Sequence, residues 1–195
     1  MRGAAGADAV GLTTADRLAL ADLVHLYAAA VDDRRFDDVA ELFTETAELH
    51  LPDPPRSLEP VRVHHGRSGV RATLAALADV ERTEHAIVGE VYAAGTGPGH
   101  ALGRITCVAH HWTRRDGMAH DVAWHLRYDD EYAWTSLGWR IHGRALTINA
   151  IESKPVSRLR DARAANPAAA TDPSRASPGP PRRAATPPGP PPGTP

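Results

Sequence analysis

After about residue 80 the apolar residues stop recurring with a helical period of about 3.6 and begin to alternate with a period of 2, which confines the chain to helices first and sheet afterwards. Before the change, Leu18, Leu20, Leu23, Val24, Leu26, Tyr27 and Val31 predict a helix over about 14–31, capped by Thr13 or Thr14 with Asp16. Phe36, Val39, Leu42 and Phe43 predict a short second helix, and Ala47–Leu51 a short strand. Pro52–Pro60, with four prolines, reads as a loop, and Gly66 precedes a third helix over about Ser68–Val80. After the change, His85–Ala94, Ala101–Arg114, Met118–Trp134 and Trp139–Ile151 read as four long strands. The turns between them are too short for crossover helices, so neighbouring strands run antiparallel. Three N-terminal helices followed by a strongly curved antiparallel sheet make an α+β fold.

Composition sets the limits of the folded part. Of the 17 prolines, 12 lie in residues 155–195, a stretch without Trp, Tyr, Phe or His. Such a segment cannot bury enough apolar surface to offset its ordering entropy. The expected organisation is a disordered N-terminus over 1–11, one domain over 12–153 and a disordered Pro/Ala/Arg-rich tail over 154–195. Residues 1–154 carry 16 basic and 22 acidic side chains, so the domain is acidic, which argues against a nucleic-acid surface. One cysteine, Cys107, permits neither an intrachain disulfide nor a thiolate zinc site. No signal-like or membrane-spanning apolar run is present, so a cytoplasmic protein without a membrane association is expected.

Candidate chemistry begins where the first helix ends. Val24, Tyr27 and Val31 lie on its inward face, so Asp32, just past that face, can look inside while Asp33 looks out. A carboxylate in an apolar interior needs a partner. His85, opening the first long strand, is the candidate, because a carboxylate fixes the tautomer of an imidazole and raises its basicity. His110 and His111 are adjacent on a strand and must face opposite sides. Arg144 shares a strand face with Arg140 and His142 unless Gly143 marks a bulge that resets the alternation. An inward Arg144 binds a carboxylate or an oxyanion; an outward one makes a surface ion pair. Tyr128, Asp130 and Tyr132 share one face, as polar lining or as an interface ladder. Eleven histidines without an HxH or HExxH spacing give no metal site, and no Gly-rich phosphate loop or nucleophile elbow is present.

The run Leu26-Tyr-Ala-Ala-Ala-Val-Asp32, then Phe36-Asp-Asp-Val-Ala-Glu-Leu-Phe43, Gly66, His85 and Gly138-Trp-Arg-Ile-His-Gly-Arg144 resembles the SnoaL-like group of the nuclear transport factor 2-like superfamily over residues 13–152. The resemblance implies a cone-shaped barrel built from the curved sheet and the three helices. The pattern is similar to the branch with bile acid 7α-dehydratase and hexachlorocyclohexane dehydrochlorinase, with scytalone dehydratase more distant. It implies catalysis by Asp32, His85 and Tyr27, with Arg144 and His110 binding substrate; Tyr128, read as polar lining of its strand face, is expected to bind substrate as well. His110, by correspondence with the second active-site histidine of scytalone dehydratase, is expected to face the cone. The implied activity is a cofactor-independent dehydratase or isomerase acting on a small apolar alcohol or ketone, steroid-like or polyketide-like. The fold also serves as a polyketide cyclase, as a ligand-binding protein, and as the β subunit of ring-hydroxylating dioxygenases. A homodimer or homotrimer is expected.

Overall fold

The structure, a computed structural model, describes residues 11–160. Most of the segments expected to be disordered lie outside those residues. Helix α1 (Thr14–Asp32) starts at a reciprocal cap: the Thr13 hydroxyl accepts from the Asp16 amide, and the Asp16 carboxylate accepts from the Thr13 amide. Such a cap contributes about 1 kcal/mol. Leu20, Leu23, Val24, Tyr27 and Val31 form its buried stripe. Helix α2 (Phe36–Glu41) is followed by strand β1 (Phe43–Asp53), then β2 (Ser57–His65), α3 (Gly66–Leu74) and a 3₁₀ turn over Ala75–Asp79. Strands β3 (Arg82–Ala94), β4 (His100–Arg115), β5 (Met118–Thr135) and β6 (Gly138–Val156) complete the order.

These strands make one six-stranded sheet in the order β2-β1-β6-β5-β4-β3. All pairs are antiparallel except β1 with β6. The sheet does not close: β2 and β3 are its edges. Register shifts at Ile87/Gly89 on β3 and at His125/Leu126 and Glu131/Tyr132 on β5 help to bend it. Helix α1 packs on β3 and β6, and α3 on β1. The core between helices and sheet includes Val39, Phe43, Ala47, Ile105, Cys107, Leu126, Ile141 and Ile148.

Three sequence expectations change. Pro52–Pro60 is not a loop: β1 runs through Pro52 to Asp53, and β2 pairs back on it from Ser57. Pro60 is tolerated because β2 is an edge, where one side of the backbone has no ladder to feed. The third helix ends at Leu74 and tightens into the 3₁₀ turn. Strand β6 continues three residues past the expected domain boundary, pairing Lys154, Pro155 and Val156 with Asp121, His120 and Ala119.

Two glycines are required by their surroundings. Gly66 has φ +65°, and a methyl group on it would lie 2.8 Å from the Glu45 carbonyl oxygen. A methyl group on Gly103 would lie 2.8 Å from Tyr132 Cε2 and 3.1 Å from its hydroxyl. Gly103→Ala should displace the Tyr132 ring and lose about 1–3 kcal/mol to overpacking, read as a lower thermal midpoint.

Candidate active site

Asp32 is the last residue of α1 and His85 the fourth of β3, so two elements far apart in sequence supply the central pair. The pair is held by two bonds. Asp32 Oδ1 lies 2.7 Å from His85 Nδ1, and Oδ2 accepts from the His85 backbone amide at 2.8 Å. The carboxylate therefore fixes both the ring and the strand that carries it. The His85 side chain is 8% exposed and that of Asp32 23%, so water screens the contact little. Burial raises the Asp32 pKa, but the hydrogen bonds and charge of His85, with a further hydrogen bond from Thr83, outweigh it and hold the carboxyl below the usual range. An ionised Asp32 can only accept, so the ring proton stays on Nδ1 and Nε2 keeps the free lone pair. Asp33, by contrast, is exposed.

Beyond the pair lies a packed polar core. The Arg144 guanidinium sits 4.2 Å from the ring centre of Tyr27 and 4.2 Å from that of Tyr128, a cation between two π faces. Its Nε and Nη2 donate to the two oxygens of Asp130 at 2.8 and 2.7 Å, with both side chains 0% exposed. Tyr132 donates to the same carboxylate at 2.7 Å. Arg144 Nη1 is buried without a partner. Burial alone would lower the Arg144 pKa, but Asp130 overrides it and the group is held well above its ordinary value. The tyrosine hydroxyls of Tyr27 and Tyr128 are pushed up, chiefly by burial, so both remain neutral donors.

This arrangement refines the expectation for Arg144. The bulge at His142 does reset the alternation, since Glu131 pairs with Gly143 while Tyr132 pairs with Ile141, and Arg144 turns inward. Its charge is already matched by Asp130, so it is no free counter-ion for a carboxylate. Only Nη1 remains to donate.

The two adjacent histidines face the other way round from the expectation. Ile105, Cys107 and Ala109 are buried on β4, and His111 continues that row. His111 lies edge-to-face with His85 at 6.2 Å and tilted on Trp124 at 4.8 Å. His110 points to the opposite face, stacks on Trp112 at 5.2 Å and bonds Asp121 at 2.8 Å. It is not part of the site. The signal was present in the sequence: Ile105 and Cys107 alternate with Arg104 and Thr106, which marks the odd positions as inward. The site residues that sequence reasoning missed are therefore His111 and, as the Arg144 partner, Asp130.

His111 donates through Nδ1 to the Val122 carbonyl at 3.1 Å. Burial is the main cause of its lowered pKa, opposed by that bond and reinforced by His85 and Arg34. A histidine that must stay neutral when folded but can be protonated when unfolded makes stability fall as pH drops through the unfolded value, near 6.5. His111→Asn should flatten the decline in urea midpoint between about pH 7 and pH 5.

Cys107 is buried, and burial pushes its thiol up to about 12, so it is no nucleophile at neutral pH. Among the described residues no group of three or more His, Cys, Asp or Glu is placed to hold a metal ion. Three surface cavities of about 530, 400 and 200 Å³ stand out, and none is lined by Asp32 or His85. The open cone expected from the resemblance is filled at its floor by Tyr27, Tyr128 and Arg144. The partly buried Leu51, Leu58, Leu77 and Trp124 pack against that core.

A family model for the SnoaL-like domain matches residues 13–145, from the cap of α1 into β6. The chain belongs to the SnoaL-like family. Similar solved structures have the same fold. An aromatic ring hydroxylase candidate from Novosphingobium aromaticivorans is 24% identical, covers 74% of this chain and 96% of its own, and superposes with a TM-score of 0.62. A scytalone dehydratase candidate from the same organism is 17% identical over 76% of this chain and 100% of its own, with a TM-score of 0.59. A type 2 hexachlorocyclohexane dehydrochlorinase is 16% identical over 76% of this chain and 96% of its own, with a TM-score of 0.58. No curated protein matches the sequence. The SnoaL-like chain thus has the nuclear transport factor 2-like α+β fold. No helix among its described residues is long and apolar enough to cross a membrane.

Proposed function

We propose that the protein is a cofactor-independent lyase or isomerase that moves a proton on a small, largely apolar alcohol or ketone. The observation that carries this reading is the double grip of Asp32 on His85, which fixes Nδ1–H on the carboxylate and leaves Nε2 as a base. A merely structural histidine does not need both its ring and its amide held by one carboxylate. The dehydratase and dehydrochlorinase neighbours, named for eliminations, fit the same chemistry.

In this account His85 Nε2 removes a hydrogen made acidic by a neighbouring carbonyl. The C–H pair becomes the new C=C bond or an enolate, and Asp32 stabilises the imidazolium. For dehydration the C–O bond then breaks and the proton on His85 leaves with hydroxide as water. For isomerisation the proton returns to another carbon. Tyr27, kept neutral, donates to the leaving or developing oxygen, and Arg144 contributes Nη1 and its field. His111, also neutral, flanks His85 and accepts through Nε2, because its one ring proton is held on Nδ1 by the Val122 carbonyl. A carboxylate substrate is disfavoured, because Asp130 already neutralises Arg144. Tyr128 holds Arg144 rather than the substrate.

The test is incubation of hydroxy-ketones of steroid-like and polyketide-like skeleton with the protein in deuterated buffer, without added cofactor. Proton NMR should show loss of the α-hydrogen signal or formation of the alkene, and His85→Ala should abolish both. Undiminished turnover by His85→Ala would refute the mechanism. Ligand binding without any exchange would return the chain to a binding module.

A further inference from the structure

Helix α1 ends in a way that wastes free energy unless the side chain at its end has a use. The Arg34 amide donates to the Val31 carbonyl at 3.1 Å and the Arg35 amide to the Ala30 carbonyl at 2.8 Å. These two bonds make the Schellman motif, whose left-handed position ordinarily holds glycine. Here that position is Arg34, with φ 62°. A non-glycine residue there crowds its Cβ against the following carbonyl oxygen, a steric cost that glycine avoids.

The side chain of Arg34 leaves its own helix and reaches the start of β3. Nη2 donates to the Val80 carbonyl at 2.8 Å, and Nη1 to Thr83 Oγ1 at 3.4 Å. Thr83 is 5% exposed and lies two residues before His85, on the same face of β3. Thr83, so held, is also one of the groups that keep the Asp32 carboxyl below its usual range. A chain of contacts therefore runs from the end of α1 through Arg34 to Thr83 and along β3 to His85. It begins and ends on the two elements that carry the pair.

We propose that Arg34 and Thr83 are positioning residues, a strap that holds the end of α1 against the start of β3 and so aligns the Asp32 carboxylate with His85. This rests on the acid–base reading above and extends it to two residues that touch no substrate. The strap is local. Asp32 sits two residues before Arg34, so any slip of α1 along β3 breaks the 2.7 Å contact unless something opposes the slip. The guanidinium opposes it, since it is bonded to the Val80 carbonyl just before β3 and to the Thr83 hydroxyl on β3, while its own backbone closes the cap of α1.

The test reads the pair directly and needs no substrate. Proton NMR of the full chain should show a downfield His85 Nδ1–H signal, identified by its absence in His85→Gln. In Arg34→Gly the cap keeps or improves its geometry but the strap is gone. In Thr83→Val the shape is kept but the hydroxyl is lost. Both variants should exchange the Nδ1 proton about tenfold faster than the parent, as loss of one hydrogen bond predicts. Thr83→Ser, which keeps the hydroxyl, should restore the slow exchange. Equal exchange in parent, Arg34→Gly and Thr83→Val would overturn the strap while leaving the pair intact. No His85 signal in the parent would instead overturn the pair itself. If Arg34→Gly is misfolded by amide exchange across β4–β6, the Thr83→Val and Thr83→Ser comparison decides alone.

Discussion

Asp32→Asn should cut kcat by about 10²–10⁴-fold while changing KM far less. The amide preserves the size of the carboxylate and can still accept from the His85 amide. It removes the charge that fixes Nδ1–H and stabilises the imidazolium. His85→Ala should be at least as damaging, and the double variant little worse than the worse single one, because groups that act as one unit are not additive. The measurement is steady-state turnover on whichever ketone or alcohol shows exchange with the parent protein. If Asp32→Asn lost activity only in proportion to its folded fraction, the pair would be a structural contact. A second readout comes from acid unfolding. Asp32 has a lowered pKa in the folded state, so its share of stability is present above the unfolded value, near 3.8, and is lost as pH falls through the lower folded one. Asp32→Asn should remove that part of the acid-side decline.

The second large effect concerns stability. Arg144→Met leaves Asp130 buried with only the Tyr132 hydroxyl as a bonded partner, and should cost about 3–5 kcal/mol in urea unfolding. Asp130→Asn leaves the guanidinium between Tyr27 and Tyr128 without its counter-charge and should cost a comparable amount. Replacing both, Arg144→Met with Asp130→Leu, should be less destabilising than the two single losses added together, because no charge is then left unpaired. Additive losses would mean that the two side chains do not depend on each other. Activity separates the roles: the double variant should fold yet turn over poorly, since Nη1 and the field at Tyr27 are gone.

Much of this was legible in the sequence, and for identifiable reasons. Asp32 and His85 were found because each sits at the end of a strongly patterned element, where the period tells inside from outside. Helix α1 was bounded to within a residue by Thr13 and the Asp32 end. Strand β2 was hidden because Pro52, Pro54, Pro55 and Pro60 read as punctuation, whereas two of them fall within strands and two in the turn, whose Pro54–Pro55 bond is cis. Correspondence with a distant relative points His110 inward, whereas the alternation of Ile105 and Cys107 points His111 inward, and the strand follows the alternation. Arg144 could be placed only once the bulge at His142 was seen, since one extra residue flips every side chain beyond it. Asp130 was noticed as one of a row but not as a partner, because strand pairing, not spacing along the chain, sets it opposite Arg144.

The position of β6 between β1 and β5 has a consequence for how the chain is made. Among the described residues it is the last strand and the only neighbour, besides β2, that β1 has. Thr44 and His142, which meet side by side at 3.0 Å, are 98 residues apart. During synthesis, α1, α2 and the β1–β2 hairpin emerge first, with Leu20, Val24, Val39 and Phe43 exposed and no sheet to receive them. The β3–β4–β5–β6 meander can form by short hairpin closures, but the parallel pairing of β1 must close a long loop and comes late. The N-terminal third therefore waits, sticky, until Ile141 has cleared the ribosome. Nascent chains stalled before β6 should engage chaperones, and those stalled well after it should not.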